Sequence, residues 1–163
     1  MQKQKLSILL LIAGSFVLNQ AQASLPDALV KKFPSAQIKE NQIKLRAPNL
    51  AEEGSVVPVK IGSIALPNSD VHITEVSFYS EHNTTCPLSR YKLSPAMLGE
   101  GLGARIKLPK TTVIHAIAKL SNGDVISGQK KIKVTVGGCG GGGNIPSGAS
   151  AGNYCLDKGA TVQ

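Results

Sequence analysis

The chain has 163 residues and a formal net charge of +8, with eighteen basic against ten acidic side chains. The basic residues form no dense run, and three Tyr and three Phe supply no row of stacking platforms, which argues against a nucleic-acid-binding surface. A mild positive field suits small anions or acidic partner proteins.

The chain opens Met1-Gln2-Lys3-Gln4-Lys5, runs apolar from Leu6 to Leu18 and reaches Ala21-Gln22-Ala23. A basic start, a short apolar core and an A-x-A site predict a Sec-type secretory signal peptide over residues 1–23, cleaved after Ala23. The apolar run is too short for a membrane span, so no membrane association is expected after cleavage. Loss of Lys3 and Lys5 leaves sixteen basic against ten acidic residues, a balance of +6 for residues 24–163.

Ser24-Leu25-Pro26-Asp27 matches an approximate capping box, with Asp in place of Glu. Leu25, Leu29 and Phe33 recur at helical spacing until Pro34, which predicts a short amphipathic helix acting as a lid or docking element. The period then changes to two. Ile43 and Leu45 mark a first strand, and Ala47–Gly54 reads as a loop with an acidic turn. Val57, Val59 and Ile61 mark the next strand, where Pro58 calls for an edge position or an unpaired N–H. Val71 and Ile73 fall out of step with Val76 and Phe78, predicting a bulge at Thr74-Glu75 or two short strands. Tyr91 and Leu93, then Ala104, Ile106 and Leu108, mark short strands ended by Pro95 and Pro109. Val113–Leu120 is apolar on both faces apart from His115 and Lys119, as a covered central strand would be. Asn122-Gly123 reads as a hairpin turn, and its partner strand is Val125–Val136, bulged at Gly128. About seven short strands separated by turns predict an all-β fold, an immunoglobulin-like antiparallel β-sandwich over residues 24–136 with a short N-terminal helix.

The strand Lys131–Val136 runs into Gly137-Gly138-Cys139-Gly140-Gly141-Gly142-Gly143. Glycine has no Cβ and loses the most entropy on ordering, so residues 137–143 read as a flexible Gly-rich arm. Three extended residues beyond Val136 carry the Cys139 sulfur on the order of 10 Å from the sheet. That is the geometry of a nucleophile offered to a site on another protein. The alternative is that Cys139 is half of a structural disulfide. Residues 144–163 are small and polar around Tyr154-Cys155-Leu156 and read as a disordered tail.

Cys86, Cys139 and Cys155 are an odd number for an oxidising compartment, so at least one is free, modified or paired between molecules. One arrangement is a reversible resting disulfide between Cys139 and Cys155 that masks the arm's thiol, with Cys86 left over. His82 and Cys86, with His72, make a weak metal candidate that reads better as surface loop, so no metal site is expected. His115 reads as a core or edge histidine, and no local constellation proposes an enzyme.

Glu52–Val59, Val76–Glu81, Ala104–Leu108 and above all Val134-Thr135-Val136-Gly137-Gly138-Cys139-Gly140-Gly141 resemble the SoxY family of sulfur-oxidation carrier proteins. The likeness runs from about Ala28 to Gly141. It implies a periplasmic, non-enzymatic carrier without a separate cofactor, holding sulfur intermediates covalently on Cys139 during thiosulfate oxidation. The implied hinge is Gly137, Gly138, Gly140 and Gly141. The implied partners are a SoxZ-like subunit, a c-type cytochrome complex that couples thiosulfate to the thiol, a sulfate-releasing hydrolase and, in some systems, a sulfane dehydrogenase. Two features depart from the family pattern: the signal is Sec-type rather than twin-arginine, and 22 residues follow Gly141 where the family's arm usually ends the chain. An exported structural or interaction sandwich, with Cys139–Cys155 fastening a glycine loop, and a thiol redox adaptor are the competing readings.

Overall fold

The period-two segments all become strands in the computed structural model, which describes residues 24–83, 86–97 and 99–136. The leader, the Gly-rich arm and the tail lie outside the described residues. A single helical turn, α1 (Asp27–Val30), is followed by β1 (Ile38–Lys39), β2 (Ile43–Arg46), β3 (Leu50–Glu53), β4 (Val57–Ile64) and β5 (Ile73–Ser80). Then come β6 (Ser89–Lys92), β7 (Gly103–Ile106), β8 (Thr112–Leu120) and β9 (Val125–Val136). One sheet runs β1-β9-β8-β5-β6, with β3 also on β9, and a second runs β2-β4-β7. Phe78, Val76, Ile114, Ala116, Ile126 and Ile132 from the first sheet pack with Ile43, Val57, Val59, Ile61 and Ile106 from the second. The result is the expected β-sandwich, antiparallel except for two short parallel pairs, β1 with β9 and β3 with β9.

The second face of the large sheet is covered differently. Tyr79, Ile117 and Val125 point away from the inner core and meet Leu25 and Leu29 of the N-terminal segment, with Phe33, Ile38 and Cys86 packed around them. The expected helix is therefore a lid on the outer face of the sheet. Its start differs from the expectation. Pro26 occupies the N-cap position without a side-chain cap, and Ser24 does not serve as one. The Leu25 N–H instead donates to Glu40 Oε2 at 3.1 Å, so a carboxylate from the next segment does the fastening.

Of the two readings of the parity break, the structure shows the bulge: the register shifts between Ile73 and Glu75 within one strand. Pro58 sits on the middle strand of the small sheet, but β2 ends its pairing at Arg46 opposite Lys60, so beyond that point only β7 borders β4. At the hairpin, Gly123 takes φ of 89°, while the Asn122 side chain accepts from the Asp124 N–H at 3.1 Å. β8 is central and covered as expected, between β5 and β9.

Two expectations are corrected. Gly128 makes no bulge: it pairs in step with Ala116. Its glycine is required because β2 crosses β9 there, and a Cβ would overlap the Ile43 carbonyl. The acidic segment expected to be loop contains β3, a strand lying parallel to the last residues of β9.

Candidate functional site

The feature that the sequence singles out begins where β9 ends, so the hold on that end decides what it can present. From Val125 to Ile132, β9 is flanked by β8. Beyond Ile132 that pairing stops, and the Thr111 hydroxyl takes over, accepting from the Val134 N–H at 3.0 Å. On the opposite edge, the Val125 N–H donates to Gln37 O at 3.0 Å and the Lys133 N–H to Asn49 O at 2.9 Å. β3 then pairs Leu50 with Lys133, Ala51 with Val134 and Glu53 with Val136. The Thr135 hydroxyl donates to Glu52 O at 2.6 Å. Backbone and hydroxyl bonds thus hold both edges of β9 almost to its end. A strand paired on both edges is a fixed base for whatever follows it.

Sequence reasoning missed this clamp. Leu50, Glu52 and Glu53 are exposed and only Ala51 turns inward, so β3 has no apolar alternation to announce it. The hydroxyls of Thr111 and Thr135 were the available hint, since short polar side chains readily complete interrupted backbone bonding. Glu52 and Glu53 on β3 and Lys131 and Lys133 on β9 are exposed, so the base carries charges of both signs.

Cys139, with Gly137, Gly138, Gly140 and Gly141, lies outside the described residues, as does Cys155; the proposed Cys139–Cys155 pair therefore has no described geometry. Cys86 is described, and it is disulfide-bonded. This corrects the expectation that Cys86 is the cysteine left over. It also withdraws a thiolate from the weak metal candidate. His72 precedes β5 and His82 follows it, so the eight residues of that strand hold the two histidines ~26 Å apart.

His115 is a core histidine in the sense the sequence suggested. Its side chain is fully buried, with Nε2 3.0 Å from Glu81 Oε1. Burial lowers its pKa from the ordinary 6.5, and the hydrogen bond and charge of Glu81, with the more distant Glu40, oppose that shift. Glu81 follows β5 directly, and its partly exposed carboxylate joins the end of that strand to β8. The pair fastens two strands.

Comparison with known proteins places this arrangement. A family profile for "Sulfur oxidation protein SoxY" matches residues 28–139, so the match ends on the cysteine flanked by glycines. A search of curated proteins gave no match. Among solved structures, the sulfur carrier protein SoxY from Chlorobium limicola f thiosulfatophilum is similar at 26% identity and a TM-score of 0.54, covering 67% of this chain and 90% of that one. The superoxide reductase (neelaredoxin) from Ignicoccus hospitalis is 24% identical with a TM-score of 0.47, covering 58% and 80% of the two chains.

Proposed function

The chain belongs to the SoxY family of sulfur-oxidation proteins, and on that premise we propose that it is a periplasmic carrier holding sulfur intermediates covalently on Cys139. The observation that carries the reading is the position of Cys139 three residues beyond a strand end held on both edges, with glycine on either side. A fixed base and a side-chain-free tether allow a thiol to enter a narrow partner site while the sandwich docks outside it.

The chemistry is that of a borrowed active site. The Cys139 thiol loses its proton and its sulfur bonds to the terminal sulfur of thiosulfate, with two electrons leaving to a c-type cytochrome partner. The product is a cysteine S-thiosulfonate. Water then cleaves its sulfonate as sulfate in a hydrolase partner, leaving a persulfide on Cys139 and releasing a proton. A sulfane dehydrogenase would act on that remaining sulfur. The thiolate is the reactive species, and its activation falls to the partner that surrounds it. A SoxZ-like subunit is the expected companion, and the narrow border of β4 at Pro58 is a place for further sheet contact.

The test is intact mass after incubation with thiosulfate and the oxidising cytochrome complex. A reductant-removable mass gain mapped to Cys139, and abolished by Cys139→Ser, is expected. An adduct on another cysteine, or none, overturns the assignment.

A further inference from the structure

We propose that the outer face of the small sheet is a docking surface for a protein face rich in Asp and Glu. The basic residues are scattered along the chain, but strand pairing gathers four of them. On β4, Val57, Val59 and Ile61 turn inward, so Pro58, Lys60 and Gly62 turn out. The same alternation sends Lys44 and Arg46 of β2, and Gly103 and Arg105 of β7, to that face. Arg46 stands opposite Lys60, Lys60 opposite Gly103, and Arg105 opposite Pro58. Paired strands lie ~4.8 Å apart and alternate residues ~7 Å apart. Each of the four cations therefore has another within about one Debye length, ~8 Å.

Like charges opposed across strands destabilise a sheet. Among the described residues, none of these four has a carboxylate partner to relieve it. The large sheet differs: there Glu75 lies 3.6 Å from Arg90 and 3.3 Å from Lys119. Glu100, at the end of the small sheet, instead accepts from the Ile64 N–H at 3.3 Å. Two glycines make room for the cations. A Cβ at Gly103 would stand 2.6 Å from Lys60 Cγ, and one at Gly62 would stand 2.9 Å from Arg46 Cγ. The stems of Lys60 and Arg46 thus lie along the sheet over glycine. Beside them, an open cleft of about 350 Å³ is lined by Pro58, Lys60, Gly101, Gly103, Ala104 and Arg105. It can take a partner's carboxylate between Lys60 and Arg105.

Charge and position select the occupant. The outward residues of the patch include no aromatic on which a base could stack and no large apolar side chain to enter a bilayer. Exposed cations spread over three strands match the separated carboxylates of an acidic protein face. The patch also adjoins the clamp on β9. Leu108, three residues past Arg105, donates its N–H to Gly54 O at 2.8 Å, and neighbouring Glu53 pairs with Val136. Arg105 and Val136 are thus at most ~25 Å apart. A standard interface covers ~800 Å² on each partner, ~30 Å across. One acidic partner can therefore span both the patch and the end of β9.

Amide NMR mapping of the isotope-labelled exported protein with a deca-glutamate peptide at low salt tests this. Amides of Lys44, Arg46, Lys60, Gly103 and Arg105 are expected to shift, and to return as salt is added. Shifts spread over every exposed lysine, or centred on Lys31 and Lys131, overturn the proposal. Thiosulfate, duplex DNA and phosphatidylserine vesicles are titrated for comparison. If one of them shifts these amides and the peptide does not, the surface belongs to that ligand and the proposal fails. Replacing Arg46, Lys60 and Arg105 together by Gln should weaken peptide binding about tenfold. Replacing Lys31, Lys39 and Lys131 by Gln removes the same charge and should change it less than about twofold. Equal losses in the two triple variants would mean that net charge alone binds the peptide, which refutes a built surface. The mapping uses the unaltered protein, so it decides the matter even if a variant misfolds. No readout involves covalent loading of Cys139, so the carrier assignment stands or falls separately.

Discussion

The two halves of β9 are fixed by different means. From Val125 to Ile132 the strand is part of the core: Ile126 and Ile132 are fully buried, and Gly128 lets β2 cross directly over it. From Lys133 to Val136 the exposed Lys133 and Thr135 add no core packing, only the partly buried Val134 rests against the core, and most of the hold comes from β3 and two threonine hydroxyls. The first half anchors the strand by burial and the second directs it by hydrogen bonding. A carrier needs both, because burial alone would leave the strand end fraying where the proposed arm begins.

Three perturbations break or sharpen that contrast. Gly128→Ala is expected to have the largest effect, since the new methyl meets the Ile43 backbone rather than a yielding side chain. A loss of roughly 3 kcal/mol or more is expected from denaturant unfolding, if the protein folds at all. Thr135→Val removes the bond to Glu52 O and should cost about 1 kcal/mol. Its signature is local: faster amide exchange at Lys133–Val136, with Val125–Ile132 unchanged. Equal acceleration in both halves would mean that the strand opens as one unit.

The smallest effect at neutral pH belongs to His115, which pairs across β8 and β9 with Gln129 in the buried half. Its folded pKa lies below the ordinary 6.5, so on acidification the unfolded chain takes up the proton first. Stability should therefore fall as pH drops below about 6.5, and the loss stops once pH has passed the folded value. Unfolding free energies at successive pH values down from 7.5 should show that slope, and His115→Gln should flatten it. A slope of the opposite sign would mean that the Glu81 partner outweighs burial.

Most strands were legible because one face of each meets a core and the other does not, which writes a period of two into Val57–Ile61, Val76–Phe78 and Ala104–Ile106. The bulge at Thr74-Glu75 was legible for the same reason, as a break in that parity. Gly128 was visible but misread, since a glycine inside a strand pattern signals either a bulge or a close approach, and only the crossing of β2 distinguishes them. β3 left no apolar alternation, since only Ala51 turns inward and its pairing to β9 uses backbone groups that every residue carries.

By itself the sequence determined the sandwich, the lid helix and the glycine-flanked Cys139 that places the chain in its family, because alternation, prolines and glycines act locally on the backbone. Tertiary structure decided that an acidic segment clamps the end of β9 and that Cys86 is bonded rather than spare. Those outcomes depend on which distant backbones and sulfurs lie within a few ångströms of each other, and spacing along a chain does not record that.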